Sequence, residues 1–353
     1  MRISTDFCGG NAADIRINGD NVSFRPDLRD TTESWFYWAI RVDGAAGRTI
    51  SFSIPHWVGR FGAAVSHDLE NWNWSGNSDG DSFVYTFGEN ENRVYFAHDM
   101  LYHPSRFHKF CETRGIIVKN LCDDNKGTPI PFIEVGEGEN IVLLAARHHA
   151  CESTGDYVME GMIDEYLRSP MSNVKLIAIP FIDADGVVRG DQGKSRKPHD
   201  HNRDYGEFLY NGTRAVKEIM DRGGVIAAFD LHSPWHQGGR NDKVFCVRKL
   251  PEKLDRMRLF GKCFESETGV DSLKYSTADD IDPGVEWNKV GPHTTFGTFC
   301  SDYPDVELGF TLETTYFGEV GNEVSQSRLI GLGRSFWRGF VKYMKIKNLE
   351  ETI

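Results

Sequence analysis

The chain has 353 residues and a mass of 40.0 kDa, room for two domains of ordinary size or one large α/β domain. Hydrophobic residues make up 39% and charged residues 26%, enough to bury a core, and the formal charge is −12. That acidic balance argues against nucleic acid as a partner, no apolar run reaches the ~20 residues that span a bilayer, and the opening MRISTDFCGG lacks the apolar stretch of a secretory signal.

Residues 1–105 read as an N-terminal antiparallel β-sandwich. Five of the eight tryptophans lie there, in runs such as SWFYWAIRV (34–42), RTISFSI (48–54) and DSFVYTF (81–87). In the last run Ser82, Val84 and Thr86 alternate with Phe83, Tyr85 and Phe87, the period of a half-buried strand. Turn clusters GNSDGD (76–81) and GENEN (88–92) separate such runs and leave little room for helices. Gly76–Gly80 matches the GxSxG nucleophile pattern but lacks the strand before and helix after that the motif needs, so it reads as a turn. No catalytic cluster stands out in this part.

From about Arg114 the pattern changes to strands alternating with helices, and residues 106–353 read as an α/β domain. IVLLAA (141–146), KLIAIPF (175–181), VIAAFDL (225–231) and ELGFTLE (307–313) are apolar runs of buried-strand length. After the first, Ser153 or Thr154 can cap a helix whose buried stripe is Val158, Met159, Met162, Ile163, Tyr166 and Leu167, ended by Pro170. A last helix from about Val324 carries Leu329, Leu332, Phe336, Trp337, Phe340, Val341 and Met344 at helical spacing.

Polar residues gather where these strands end. The first runs into RHHACEST (147–154), which places His149 and Glu152 in an HxxE spacing. Roughly one such spacing is expected by chance, and His67 with Glu70 supplies it, in a stretch with no buried strand leading in. The second strand leads through DADG and a Gly- and Lys/Arg-rich loop to DHNRDY (200–205); the third ends in His232; the fourth ends in Glu313. Ligands of open α/β sheets collect outside the carboxyl ends of strands, and two imidazoles with a carboxylate suit Zn²⁺ with one position left for water. Two further patterns fail: GDQGKS (190–195) lacks the first glycine and following helix of a phosphate loop, and His232 with His236 encloses Ser-Pro instead of the helical Glu of an HExxH site.

The order HxxE, D-x-DG, Asn-Arg, strand-end His, TLE resembles the zinc carboxypeptidases of the carboxypeptidase A type. AARHHACESTGDYVMEG, SWFYWAIRV and VYFAHDMLYHP (94–104) resemble the cytosolic carboxypeptidase-like branch, whose members carry a β-sandwich before the peptidase domain. The resemblance covers nearly the whole chain. It implies an α/β fold with a mixed eight-stranded sheet between helices, and one catalytic Zn²⁺. It makes His149, Glu152 and His232 the metal ligands, Glu313 the general base, and Asn202 with Arg203 the pair that binds a substrate carboxylate. The family also places an arginine before the Asn-Arg pair to stabilise the oxyanion; the matching position here falls near Gly193. Lys194, Arg189 or Arg196 can supply the missing charge, with Lys194 favoured.

The expected activity is hydrolysis of the C-terminal peptide or isopeptide bond of a peptide, with acidic terminal residues preferred because Arg189, Lys194, Arg196, Lys197 and Arg203 crowd one loop of an acidic protein. Competing expectations are a zinc N-acyl amino acid deacylase and a non-catalytic binding protein that uses the sandwich. The side-chain pocket is expected on the loops between His232 and Glu313, in 235–243 and 275–303. Seven cysteines at wide spacings without a CxxC fit free thiols and a cytoplasmic location.

Overall fold

The computed structural model describes residues 1–289, 291 and 294–350. Nine strands come first: β1 (Arg2–Ser4), β2 (Ala13–Asn18), β3 (Asn21–Arg25), β4 (Ala39–Asp43), β5 (Thr49–Ser53), β6 (Ala64–Ser66), β7 (Asn73–Trp74), β8 (Ser82–Thr86) and β9 (Arg93–Ala97). They form two sheets, β1-β4-β9-β6-β7 and β2-β3-β5-β8. The first is antiparallel throughout; the second departs from the antiparallel expectation, because β3 and β5 run parallel, joined through β4 in the opposite sheet. Between the sheets lies an aromatic core that includes Phe24, Trp38, Phe52, Phe83 and Phe96.

SWFYWAIRV is strand only from Ala39, yet Phe36 to Ile40 are all buried. Trp38, Ile40 and Val42 point into the sandwich, whereas Tyr37 and Ala39 point the other way, into the core of the α/β part. Burial on both faces explains why this run is apolar at every position instead of alternating.

The second part opens with α1 (Pro104–Glu112), β10 (Lys119–Asp123), β11 (Pro129–Val135), β12 (Asn140–Ala146), α2 (Thr154–Arg168), β13 (Val174–Ile179), α3 (Ala184–Arg189) and α4 (Asn211–Asp221). It continues through β14 (Val225–His232), β15 (Phe245–Arg248), α5 (Leu254–Glu265), α6 (Phe296–Ser301), β16 (Leu308–Glu313) and α7 (Gln326–Glu350). The mixed sheet has the order β10-β11-β13-β12-β14-β16-β15, with β13, β12, β14 and β16 parallel. Seven strands are described where eight were expected. The segment after α5 is bound to the β15 edge by side-chain contacts such as Arg248 with Asp280 and Asp282, but its ladder pairing is confined to two isolated bridges, Val244 to Tyr275 and Val247 to Ile281, so it lines that edge without becoming a strand. Helices α2 and α7 pack together through Gly161 and Gly333, where a methyl on either would strike the other helix's backbone. The helix begins at Thr154 as expected and its stripe is buried except for Leu167, but neither expected cap forms: Ser153 makes no side-chain cap hydrogen bond, and Thr154 Oγ1 donates to Thr314 O at 2.9 Å.

From β12 the chain passes to β13 on one side and later to β14 on the other. The carboxyl ends of β12 and β14 therefore face a crevice at a topological switch point.

Candidate active site

Arg147 ends β12 with φ of 57° and turns the chain sharply. Its buried guanidinium then pins the loop it begins, donating to Ala150 O at 2.9 Å, Ser153 Oγ at 3.1 Å and Asp156 Oδ2 at 2.9 Å. This brings His149 and Glu152 over the end of the sheet. His232 ends β14 and lies in register with Glu313 at the end of β16, so the third ligand candidate and the candidate base are neighbours by sheet geometry.

The three ligand candidates converge. Nδ1 of His149 is 2.9 Å from Glu152 Oε1, and Nδ1 of His232 is 2.6 Å from Glu152 Oε2. All three side chains are buried. Each histidine turns its other nitrogen to a carboxylate: His149 Nε2 is 3.5 Å from Asp200 Oδ1, and His232 Nε2 is 2.9 Å from Asp230 Oδ2. Such outer carboxylates orient metal-ligating imidazoles and fix which nitrogen faces the metal. The chain extends further, since Asp230 Oδ1 lies 2.8 Å from His148 Nδ1 and His148 Nε2 lies 2.6 Å from the Tyr205 hydroxyl. Burial opposes ionisation of Asp230, but His148 and His232 hold its carboxyl well below the usual range. Glu152 is likewise opposed by burial and held low by His149, Lys194 and His232. A buried, ionised carboxylate between two inward-facing imidazole nitrogens is a donor set suited to Zn²⁺.

Glu313 is buried beside them, and its Oε2 has no hydrogen-bond partner among the described residues. Burial, the largest influence, raises its pKa above the ordinary carboxyl value, with His232 pulling the other way. Such a carboxylate is primed to accept a proton.

Lys194 is also buried, with Nζ 2.6 Å from Glu152 Oε1. Of the three cations considered for the missing arginine, it alone reaches the site. Arg196 is held among Asp30, Asp183 and Asp191, and Arg189 leans on Asp185 and Asp191. Arg203 is exposed in the cleft and forms no ion pair among the described residues. Asn202 lines the cleft too, but its amide is engaged: Nδ2 lies 2.9 Å from His232 Nε2, and Oδ1 accepts from Phe296 N at 3.0 Å.

The cleft has a volume of about 470 Å³. Between His232 and Glu313 its walls draw Trp235, Asn241, Trp287 and Thr295 from the stretches 235–243 and 275–303, whereas Val247, Lys249 and Thr311 come from β15, its end and β16, outside those stretches. Val290, Pro292 and His293, within 275–303, lie outside the described residues. Lys249 carries no motif and is new: burial lowers its pKa to about 8, and Asp230, Glu313 and Arg203 are the charges facing it. Its Nζ donates to Asn288 Oδ1 at 3.1 Å. Trp35, from the sandwich part, was also missed and lines the cleft. Asp200 and Asp230 were readable in principle, each two residues from a site residue. The decoys have other partners: His67 Nε2 pairs with Glu91, and His236 Nδ1 is 2.8 Å from His98 Nε2.

The chain matches no protein-family profile. Its fold is the metallo-carboxypeptidase fold over almost its full length. A crystal structure of a metallo-carboxypeptidase from Burkholderia cenocepacia superposes with a TM-score of 0.78 and 17% identity, covering 98% of this chain and 99% of that one. The metallo-carboxypeptidase from Pseudomonas aeruginosa in complex with (2-guanidinoethylmercapto)succinic acid gives 0.77 and 20%, covering 98% and 99%. In sequence, the chain is similar to cytosolic carboxypeptidase 3 of Bos taurus, with 25% identity over 182 residues, 43% of this chain and 18% of that protein. The match thus takes in under a fifth of that relative's length.

Proposed function

We propose that the protein is a zinc-dependent metallocarboxypeptidase that removes a C-terminal residue, preferentially an acidic one, by hydrolysing the last peptide or isopeptide bond of a peptide. The observation that carries this reading is the meeting of His149, Glu152 and His232 beside the buried Oε2 of Glu313, which has no hydrogen-bond partner among the described residues. These residues fit a single Zn²⁺, which when bound supplies Lewis-acid polarisation of a carbonyl and a water of lowered pKa.

The remaining roles belong to the chain's own side chains. Arg203 offers a planar fork to the substrate's terminal carboxylate, restricting cleavage to chain ends. Asn202, through its contacts with His232 and Phe296 N, keeps the adjoining Arg203 backbone in place. Glu313 takes the proton of the attacking water at Oε2 and passes it to the leaving nitrogen. Lys194 presents its ammonium where the carbonyl oxygen gains negative charge. Lys249, half-buried in the cleft wall, supports the acidic preference, since a cation lining the cleft draws in a substrate carboxylate.

The reading divides the chain at residue 105 into sandwich and peptidase domains. It places the protein in the cytoplasm, which the seven unpaired cysteines and the cytosolic relatives support. No helix among the described residues is long and apolar enough to cross a membrane. Nothing in the site favours the deacylase or non-catalytic readings.

The test is zinc content together with product identification from a peptide library varied at the last residue, including γ-linked glutamate. One zinc per chain and chelator-sensitive release of terminal Glu or Asp are expected. A metal-free protein, or one releasing no terminal residue, would refute the proposal.

A further inference from the structure

We infer that the N-terminal sandwich completes the catalytic site: its Asp30–Trp35 segment positions the Lys194 ammonium, with Trp35 as the positioning residue. This rests on the peptidase reading above and adds a role for the first hundred residues. Near Gly193 the chain has no room for the family's arginine. Gly193 has φ of 77°, and a Cβ there would collide with the backbone nitrogen of Ala150. The charge is supplied instead by the next residue, a lysine. A lysine ammonium is a point charge on a flexible stem, without the planar fork that orients an arginine. It needs fixing from outside.

The sandwich provides that fixing on two levels. Asp30 accepts from the backbone nitrogens of Gln192 at 3.0 Å and Gly193 at 2.8 Å, and from Arg196 Nε at 2.9 Å. The buried Gln192 side chain pairs with the backbone of Tyr37, accepting from its N at 3.0 Å and donating to its O at 2.8 Å. Thr32 Oγ1 donates to Ser195 O at 2.9 Å. Residues on either side of Lys194 are therefore tied to the sandwich. Beyond them, the Lys194 Nζ sits 4.7 Å from the centre of the Trp35 ring.

The choice of an aromatic face has a chemical logic. Glu152 also touches Lys194, but its oxygens belong to the metal-ligand set. One N–H of Lys194 is turned to Glu152 Oε1 at 2.6 Å; a second carboxylate would occupy another, whereas a ring face holds the cation by its quadrupole and leaves a remaining N–H for a substrate oxygen.

The test is a kinetic cycle on a library peptide that the wild-type protein cleaves: Trp35→Leu, Trp35→Phe, Lys194→Met and the Trp35→Leu/Lys194→Met double variant, with zinc content and melting temperature recorded for each. Trp35→Leu should lower kcat about tenfold with KM and zinc content little changed, and Trp35→Phe, which keeps a ring face, should recover most of the loss. In the Lys194→Met background, Trp35→Leu should cost nothing further, because the two act as one unit. If Lys194→Met is too slow to follow, the same cycle is read as affinity for a phosphonate analogue of the tetrahedral adduct. Should Trp35→Leu fail to fold, Trp35→Gln carries the same expectations. An additive loss, or a change confined to KM, would make Trp35 a substrate wall and overturn the inference. Full activity in Lys194→Met would overturn it as well, while leaving the peptidase reading standing. A wild-type protein that cleaves no peptide would end both.

Discussion

Glu313 and Lys249 carry the sharpest expectations at the scale of single residues. Glu313→Gln keeps the shape and loses the proton acceptor, so zinc should stay bound while turnover falls at least ~10²-fold. The sign of its pKa shift fixes the acid limb of the profile. The base is active when ionised, and burial raises the pH at which it ionises, so kcat/KM should drop, as pH falls, at a pH above that of an ordinary glutamate. A profile breaking at the ordinary glutamate value would reject this.

Lys249 should set the alkaline limb for acidic substrates alone. Its charge is lost as pH rises through about 8, so kcat/KM for a peptide ending in Glu should decline there while that for a matched peptide ending in Leu does not. Lys249→Met should abolish the difference between the two peptides, and an unchanged Glu preference in that variant would place the acidic pocket elsewhere. His149, Glu152, His232 and Glu313 were legible because each stands at or just beyond the end of an apolar strand. Lys249 and Trp35 were not, because their place in the cleft is created by loops and by a partner far away in sequence, and local pattern records neither.

Among the elements, α2 has two duties: its N-terminus follows the ligand loop, and its far face meets α7. The Gly161–Gly333 contact lets the two backbones approach so closely that an added methyl meets a carbonyl oxygen. Gly161→Ala should destabilise the protein by about 1–3 kcal/mol, toward the upper end because a backbone carbonyl cannot swing aside as a side chain can. The denaturation midpoint measures it, and an unchanged midpoint would mean that the helices part without strain. The two helices read from a 3.6-residue stripe, α2 and α7, are present, although α2 is buried on nearly every side, with Asp156, Glu160 and Asp164 enclosed along with its apolar residues. The strand in SWFYWAIRV was harder to delimit: residues 36 to 40 are buried on both sides, so the alternation that marks a strand edge is missing. Among the described residues the expected eighth strand is missing because the stretch after α5 is tied to β15 largely through side chains and makes only two isolated β-bridges to that edge.

At the scale of the molecule, the two parts share one continuous core, with Tyr37, Ala39, Tyr95 and Ala97 of the sandwich among the residues packed with the α/β interior. A fragment of residues 106–353 would expose that face together with the loop that Asp30 holds. It should be recovered aggregated or without zinc, and co-expression with residues 1–105 should restore soluble, metal-loaded protein. A fragment that is soluble and active alone would show that the sandwich is dispensable. The change of texture near residue 105 was legible in the sequence, whereas the core shared across it was not, because both faces of a doubly buried strand look alike in a linear string.

The doubly buried run from Phe36 to Ile40 also bears on how such proteins can be recombined. A chimera that joins this peptidase half to the sandwich of another carboxypeptidase would exchange one side of a close-packed seam without the other. The graft would then have to bring along its matching 190–196 loop, so the smallest transferable cassette is discontinuous: the sandwich plus a short segment lying beyond β13.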